Sequence, residues 1–171
     1  MNTKDIVKIA VMAALTTAVS LLFVFPVPAA NGIVTLVEAG IYISALLLGP
    51  LGGFWVGFFS GTLIDLLSGY PQWIIFSALI HGVQGYVAGL VFERVKGNSK
   101  YVLSLLSGSL IMIVGYFLAT VFMYDLPAAI ASIPANAVQN VLGIAVTIPV
   151  VVSLKKLNIN SIEEGKMDGT R

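Results

Sequence analysis

The sequence predicts an all-α integral membrane protein: a bundle of six transmembrane helices with both termini in the cytoplasm. Hydrophobic residues make up 58% of the 171 residues and charged residues only 10%, which leaves too little polar surface to cover a soluble globule. The apolar residues form runs of about 20, the length that crosses a hydrocarbon core of ~30 Å. The basic residues cluster in alternate connections, as short cytoplasmic loops do.

Four spans follow directly from the apolar runs. The first, residues 6–25, comes after a lysine-bearing start, so a cleaved signal peptide is the alternative. Its apolar part exceeds the ~7–15 residues of a signal-peptide core, which favours a spanning helix. The other three spans lie at 73–93, 101–124 and 134–154.

The stretch 36–69 is too long for one span and somewhat short for two at ~1.5 Å per residue. Gly49-Pro50 and Gly52-Gly53 lie in its middle, where they would end one helix and let the chain turn. With two spans there, all nine basic residues fall on the side of both termini; with one, Lys4 and Lys8 lie opposite the others. We therefore expect two short or steeply bent spans, and six in total.

This count divides the chain into a membrane domain, residues 1–157, and a polar cytoplasmic tail, residues 158–171. The outer side then holds the connection 26–35, a tight turn at Tyr70-Pro71 and the connection 125–134, none of which carries a basic residue.

Composition excludes several functions. The net charge is +1, so nothing suggests a nucleic-acid partner. The chain has no cysteine, which removes disulfides, structural zinc sites and thiol nucleophiles. Its sequence contains no Walker lysine loop and no H-E-x-x-H motif, so neither ATP hydrolysis nor metalloprotease chemistry is indicated. We expect no enzyme activity, and no cofactor or metal bound by this chain.

Two stripes of small residues repeat at four-residue spacing and predict close helix contacts in lipid. For the first stripe, Gly53, Gly57 and Gly61 of the third span, we expect packing within the bundle. The second stripe, in the first span, consists of Ala10, Ala14 and Ala18.

Polar residues within the spans lie in their outer halves, and the inner halves carry almost nothing comparable. Ionisable groups cost at least about 2.5–3.5 kcal/mol at the centre of a bilayer, so they generally face the bundle interior or a wet cavity. Helical spacing places these side chains on shared faces of three helices. We expect them to surround a small pocket that is open to the outside. The predicted substrate-binding residues on these faces are Glu38, Tyr42, His81, Gln84, Asn136, Gln139 and Asn140. Trp73 and Tyr116 are added to them as aromatic walls of the pocket.

Other interpretations of these residues stay open. His81 can simply hydrogen-bond a neighbouring helix, and the amides of the sixth span can hold helices together. Trp73 has the position of an aromatic anchor at the membrane interface. We expect Asp65 and Asp125, near helix ends, to be solvated residues rather than a hydrolase pair.

Three segments, in their order and spacing, resemble the substrate-binding S component of an energy-coupling factor (ECF) transporter, a vitamin uptake system of prokaryotes. They are "AVMAALTTA", "LLLGPLGGFWVGFFSGTLIDLL" and "PANAVQNVLG". The resemblance covers residues 1–157. It implies a monomeric six-helix bundle in the plasma membrane that captures a B-type vitamin or its precursor near the outer surface.

The resemblance also implies partners. They are a transmembrane coupling (T) subunit, which the alanine stripe would contact, and two ATPase subunits that use ATP. The whole S component would topple in the membrane to carry its ligand inwards, and the loop after the first span would act as a lid.

The ligand follows less directly. A carboxylate-bearing vitamin would favour a basic residue in the pocket, yet every basic residue maps to the cytoplasmic side. The sequence looks most like the members assigned to hydroxymethylpyrimidine or pyridoxine. Riboflavin, thiamine and pantothenate are alternatives, as is a small transporter that works without partners.

Overall fold

In a computed structural model, which describes residues 1–168, the chain forms five α-helices and one small β-hairpin. The helices are α1 (Thr3–Leu21), α2 (Val37–Ser68), α3 (Ile74–Arg94), α4 (Ser99–Met123) and α5 (Leu126–Asp168). The predicted all-helical class is confirmed. The hairpin was not predicted: strands β1 (Phe25–Val27) and β2 (Gly32–Val34) pair antiparallel in the connection between α1 and α2.

Within the described residues, four helices are long and apolar enough to cross a membrane: α2, α3, α4 and the part of α5 up to Leu154. The fifth, α1, is 19 residues long and begins with a capping box formed by Asn2 and Asp5. Large apolar side chains project outwards; Phe122, for example, is 82% exposed. Such a surface suits contact with lipid chains.

The helix α2 folds back on itself at Gly49. This residue has φ 77° and ψ −172°, and Pro50 follows it. A Cβ built on Gly53 would lie 2.9 Å from the Cβ of Ala45, whereas residues eight apart in a straight helix are separated by ~12 Å. The arms 37–48 and 50–68 therefore lie side by side, and the first is only ~18 Å long at ~1.5 Å per residue.

The second arm of α2 packs against α3 with almost no side chains between the two backbones. A Cβ on Gly53 would lie 2.5 Å from the Gly85 carbonyl oxygen, and a Cβ on Gly57 would collide with the His81 carbonyl. A Cβ on Gly61 would lie 2.8 Å from the next carbonyl oxygen outwards along α3. The glycine stripe thus packs within the bundle, as expected.

The start of α5 differs from the prediction. Residues 126–134, expected to belong to an outer connection, are helical. Asp125 caps this helix, because its Oδ1 accepts a hydrogen bond of 2.8 Å from the Ala128 N–H. Pro127 is tolerated because the N–H groups of a first turn have no partner within the helix.

The predicted polar tail, residues 158–171, falls on the end of α5, where no side chain is described, and on residues beyond the described part. It stays a prediction.

Gly57→Ala is expected to lower the free energy of unfolding by about 1–3 kcal/mol, because the new methyl group would push α2 away from α3. The measurement is the midpoint of thermal unfolding in detergent. Gly115→Ala is the matched control, since a Cβ there meets only the Ile80 side chain, at 3.0 Å or more. Equal midpoints for the two variants would contradict the close approach.

Candidate functional site

A cavity lies at the end of the bundle opposite the Gly49 turn. The hairpin, both ends of α2, and the neighbouring turns of α3, α4 and α5 surround it. Its volume is about 50 Å³, on a scale on which one water molecule takes about 10–15 Å³. The space therefore corresponds to a few water molecules or a molecule with one small ring.

The hairpin forms the roof of this cavity. Val27, Ala30, Gly32 and Ile33 line it from above. The carbonyl oxygen of Asn31 accepts a hydrogen bond of 2.8 Å from Trp73 Nε1. The Thr35 N–H, just after β2, donates to Gln139 Oε1 at 2.8 Å. These two bonds join the roof to α5 and to the start of α3.

His81 is held by hydrogen bonds at both ring nitrogens. Its Nδ1 lies 2.8 Å from Gln84 Oε1, and its Nε2 lies 2.9 Å from the Tyr116 hydroxyl. Because an amide oxygen only accepts, Nδ1 carries the proton and Nε2 accepts from Tyr116. The Tyr116 oxygen in turn lies 2.7 Å from Ser77 Oγ. This chain fixes one wall of the cavity.

Beneath the wall lies a second, sealed layer of polar side chains centred on Tyr42. The Tyr42 hydroxyl donates to Asn140 Oδ1 at 2.5 Å and accepts from Gln84 Nε2 at 3.0 Å. Glu38 Oε1 accepts a bond of 2.8 Å from Gln139 Nε2 and lies 3.7 Å from His81 Nδ1. Glu38, Tyr42 and Gln84 are all completely buried.

The structure brings the nine predicted binding residues together in two layers. Five line the cavity: Trp73, His81, Tyr116, Asn136 and Gln139. The other four, Glu38, Tyr42, Gln84 and Asn140, lie beneath it. Three of these four bond lining residues directly: Gln84 bonds His81, Glu38 bonds Gln139, and Asn140 bonds the Asn136 carbonyl oxygen. Trp73 is 4% exposed, so the anchor interpretation is not supported. Whether any of the nine contacts a substrate stays a prediction.

One cavity residue was misjudged from the sequence. Asp65, expected to be solvated, is only 5% exposed and lines the cavity. It follows Gly61 by four residues and so continues the glycine stripe onto the face that packs against α3. That spacing is the signal that could have identified it. The hairpin residues gave no comparable signal.

Within residues 1–168, the cavity lining contains no lysine or arginine. In the same part of the chain, no group of three His, Cys, Asp or Glu side chains is placed to hold a metal ion.

The alanine stripe lies on a different surface. Ala10, Ala14 and Ala18 are exposed, whereas Ala13 and Thr17 on the neighbouring face of α1 are buried. The stripe is therefore open to another molecule, and its contact with a partner stays a prediction.

A family and two relatives match most of this chain. Residues 1–156 match the family described as the S component of ECF-type riboflavin transporters. The chain is 38% identical over 143 residues to the thiamine precursor transporter HmpT of Lactococcus lactis subsp. cremoris. The aligned residues make up 83% of this chain and 82% of that relative. The chain is 29% identical over 130 residues to a Pyrococcus woesei protein called "Uncharacterized protein in gap 3'region", covering 76% of this chain and 87% of the relative.

Tyr42→Phe is expected to destabilise the protein by about 1–3 kcal/mol, because it leaves Gln84 and Asn140 with unpaired polar atoms in a sealed layer. Thermal unfolding in detergent measures this change. The control is Tyr86→Phe, since Tyr86 is 38% exposed and should unfold as the wild type does. A Tyr42→Phe protein with an unchanged midpoint would contradict the buried network.

Proposed function

The chain belongs to the S components of ECF transporters, the membrane subunits of vitamin uptake systems, and from this premise we propose that it binds hydroxymethylpyrimidine in the cavity beneath the hairpin. It is a multi-pass protein of the cell membrane. The similarity to a thiamine precursor transporter supports this ligand, and pyridoxine is the alternative.

The observation that carries the proposal is the small cavity whose described lining is partly aromatic and contains no lysine or arginine. A cavity of about 50 Å³ is closer in size to one ring with short substituents than to the three fused rings of riboflavin, which need a larger space. A carboxylate-bearing vitamin would lack a lysine or arginine partner, given the lining described above. Trp73 and Tyr116, whose ring centroids are 5.7 Å apart, offer faces against which a pyrimidine can stack.

We place the cavity on the outer side of a six-span topology with both termini in the cytoplasm. The return of the chain at Gly49 supports the count of six. The first arm of α2 runs inwards from the cavity end, and the second arm runs back towards it. Lys8 lines one groove with Leu48, next to that turn, so the basic start of α1 lies at the end opposite the cavity. The positive-inside rule assigns the basic end to the cytoplasm.

Import requires partners, because this chain has no nucleotide-binding motif. Membership of the family implies association with a T subunit and ATPase subunits. We propose that one T subunit contacts the exposed alanine stripe and that two ATPases supply the energy. Small side chains allow a partner helix to approach closely. The bundle then topples to open its cavity inwards, and the hairpin acts as the lid.

Native mass spectrometry of protein purified in mild detergent, after incubation with an equimolar mixture of candidate vitamins, tests the ligand. The candidates differ in mass, so the mass of the retained molecule identifies it. They are hydroxymethylpyrimidine, pyridoxine, riboflavin, thiamine and pantothenate. Retention of hydroxymethylpyrimidine supports the proposal. Retention of riboflavin or pantothenate instead would overturn the inference from cavity size or from lining charge, respectively.

Asn136→Ala is expected to weaken hydroxymethylpyrimidine binding by roughly 2- to 10-fold, the value of one neutral hydrogen bond. The buried Asn136 Nδ2 has no partner among the described residues, so its removal should leave the fold intact. Isothermal titration measures the affinity. Asn98→Ala, an exposed asparagine before α4, is the matched control, and equal affinities for both variants would remove Asn136 from the site.

Ala14→Trp is expected to prevent assembly with the T subunit while ligand binding survives, because the large ring occupies the space that the partner helix needs. Co-purification with a tagged T subunit and both ATPases measures assembly. Val19→Trp is the control, since Val19 is exposed on another face of α1. A normal complex from the Ala14 variant would refute the interface.

A further inference from the structure

Asp65 presents an unsatisfied carboxylate oxygen at the cavity. Its Oδ2 is buried and has no hydrogen-bond partner among the described residues, and the residue is only 5% exposed. A buried polar group without a partner is destabilising, and more so if it is charged. Such a group in a native protein calls for an explanation, and at a cavity a bound ligand supplies one.

Among the described residues, no lysine or arginine lines the cavity beside Asp65. The Ser77 hydroxyl hydrogen-bonds the Asp65 carboxyl and lies 2.7 Å from the Tyr116 hydroxyl, which is also bonded to His81. The oxygen Oδ2 still has no partner in that part of the chain. Glu38 Oε2 is likewise unpaired, yet Glu38 does not line the cavity. Asp65 is therefore the carboxylate that a ligand can reach.

We infer that Asp65 selects ligands that carry an amino group on an aromatic nitrogen ring, by accepting a hydrogen bond from that amino group. The inference rests on the proposed function and narrows its ligand class. An amino group next to a ring nitrogen presents N–H donors to a carboxylate. A ring with a carbonyl oxygen in the same place would set two acceptors against each other.

This role makes Asp65 a specificity-determining residue. A hydrogen bond to an ionised carboxylate is roughly twice as strong as a neutral one, and a site built for one donor pattern rejects the analogue that lacks it. Asparagine has the same shape, but its amide can turn either its oxygen or its nitrogen towards the ligand. Asn at this position would accept both kinds of ring.

The experiment compares two probes, 4-amino-5-hydroxymethyl-2-methylpyrimidine and its 4-oxo analogue, by isothermal titration against wild type and Asp65→Asn. We expect the wild type to prefer the amino probe by about ten-fold or more. In Asp65→Asn the preference should fall below about three-fold, mainly through tighter binding of the oxo probe. Asp125→Asn, which replaces the exposed cap of α5 with another good cap, should keep the wild-type preference.

The outcomes distinguish the role of Asp65 from the proposed function. If the wild type prefers the amino probe and Asp65→Asn keeps that preference, the role of Asp65 is wrong while the proposed function stands. If the wild type binds the oxo probe more tightly, the inference is overturned too. If the wild type binds neither pyrimidine but retains pyridoxine, the proposed ligand fails. In that case both pyrimidine statements fall together.

Discussion

The contact between the second arm of α2 and α3 is the constraint on which the rest of the structure depends. Without side chains on Gly53, Gly57 and Gly61, backbone meets backbone, so the position of α3 along α2 allows little adjustment. The carbonyl that Gly57 approaches belongs to His81, so the same contact fixes the histidine that forms the cavity wall. In lipid, where burial of apolar surface does not drive helix association, packing of this kind provides much of the specificity.

The polar residues divide by whether their hydrogen bonds close within the protein. Tyr42, Gln84 and Asn140 satisfy one another in a sealed layer, which stiffens the core in a medium where an unpaired group is costly. Asp65 and Asn136 each retain one buried atom without a partner, and both line the cavity. Glu38 Oε2 is the exception in the lower layer, since it too has no partner among the described residues. Unpaired atoms that line a cavity are the arrangement expected where a ligand supplies the missing partners.

Much of this organisation could be predicted from the sequence because it follows from short-range patterns. Run length located the long apolar helices, Gly49-Pro50 indicated the turn, and helical spacing grouped seven of the nine residues that the structure brings together. Contacts between distant segments were not accessible in this way. The hairpin depends on pairing of Phe25 with Val34, and no alternation of apolar and polar residues indicates these strands in the sequence. The early start of α5 depends on a cap that a single aspartate provides. Spacing along one helix does not give the depth of a side chain within the bundle. It therefore could not assign each polar residue to the cavity lining or to the layer beneath it.

The attachment of the roof has a consequence for access to the cavity. Strands of three residues are not stable alone, and two neutral hydrogen bonds, from Trp73 to Asn31 and from Thr35 to Gln139, hold the hairpin down. Apolar contacts add to these bonds, because Ala30 and Val34 are buried and Ile33 packs against Val37, Ile41 and Ile64. Lifting the hairpin would therefore break two hydrogen bonds and also expose apolar surface to water, at about 25 cal/mol per Å². Exchange of molecules between the cavity and solvent is thus governed by apolar packing of the roof as well as by its two hydrogen bonds.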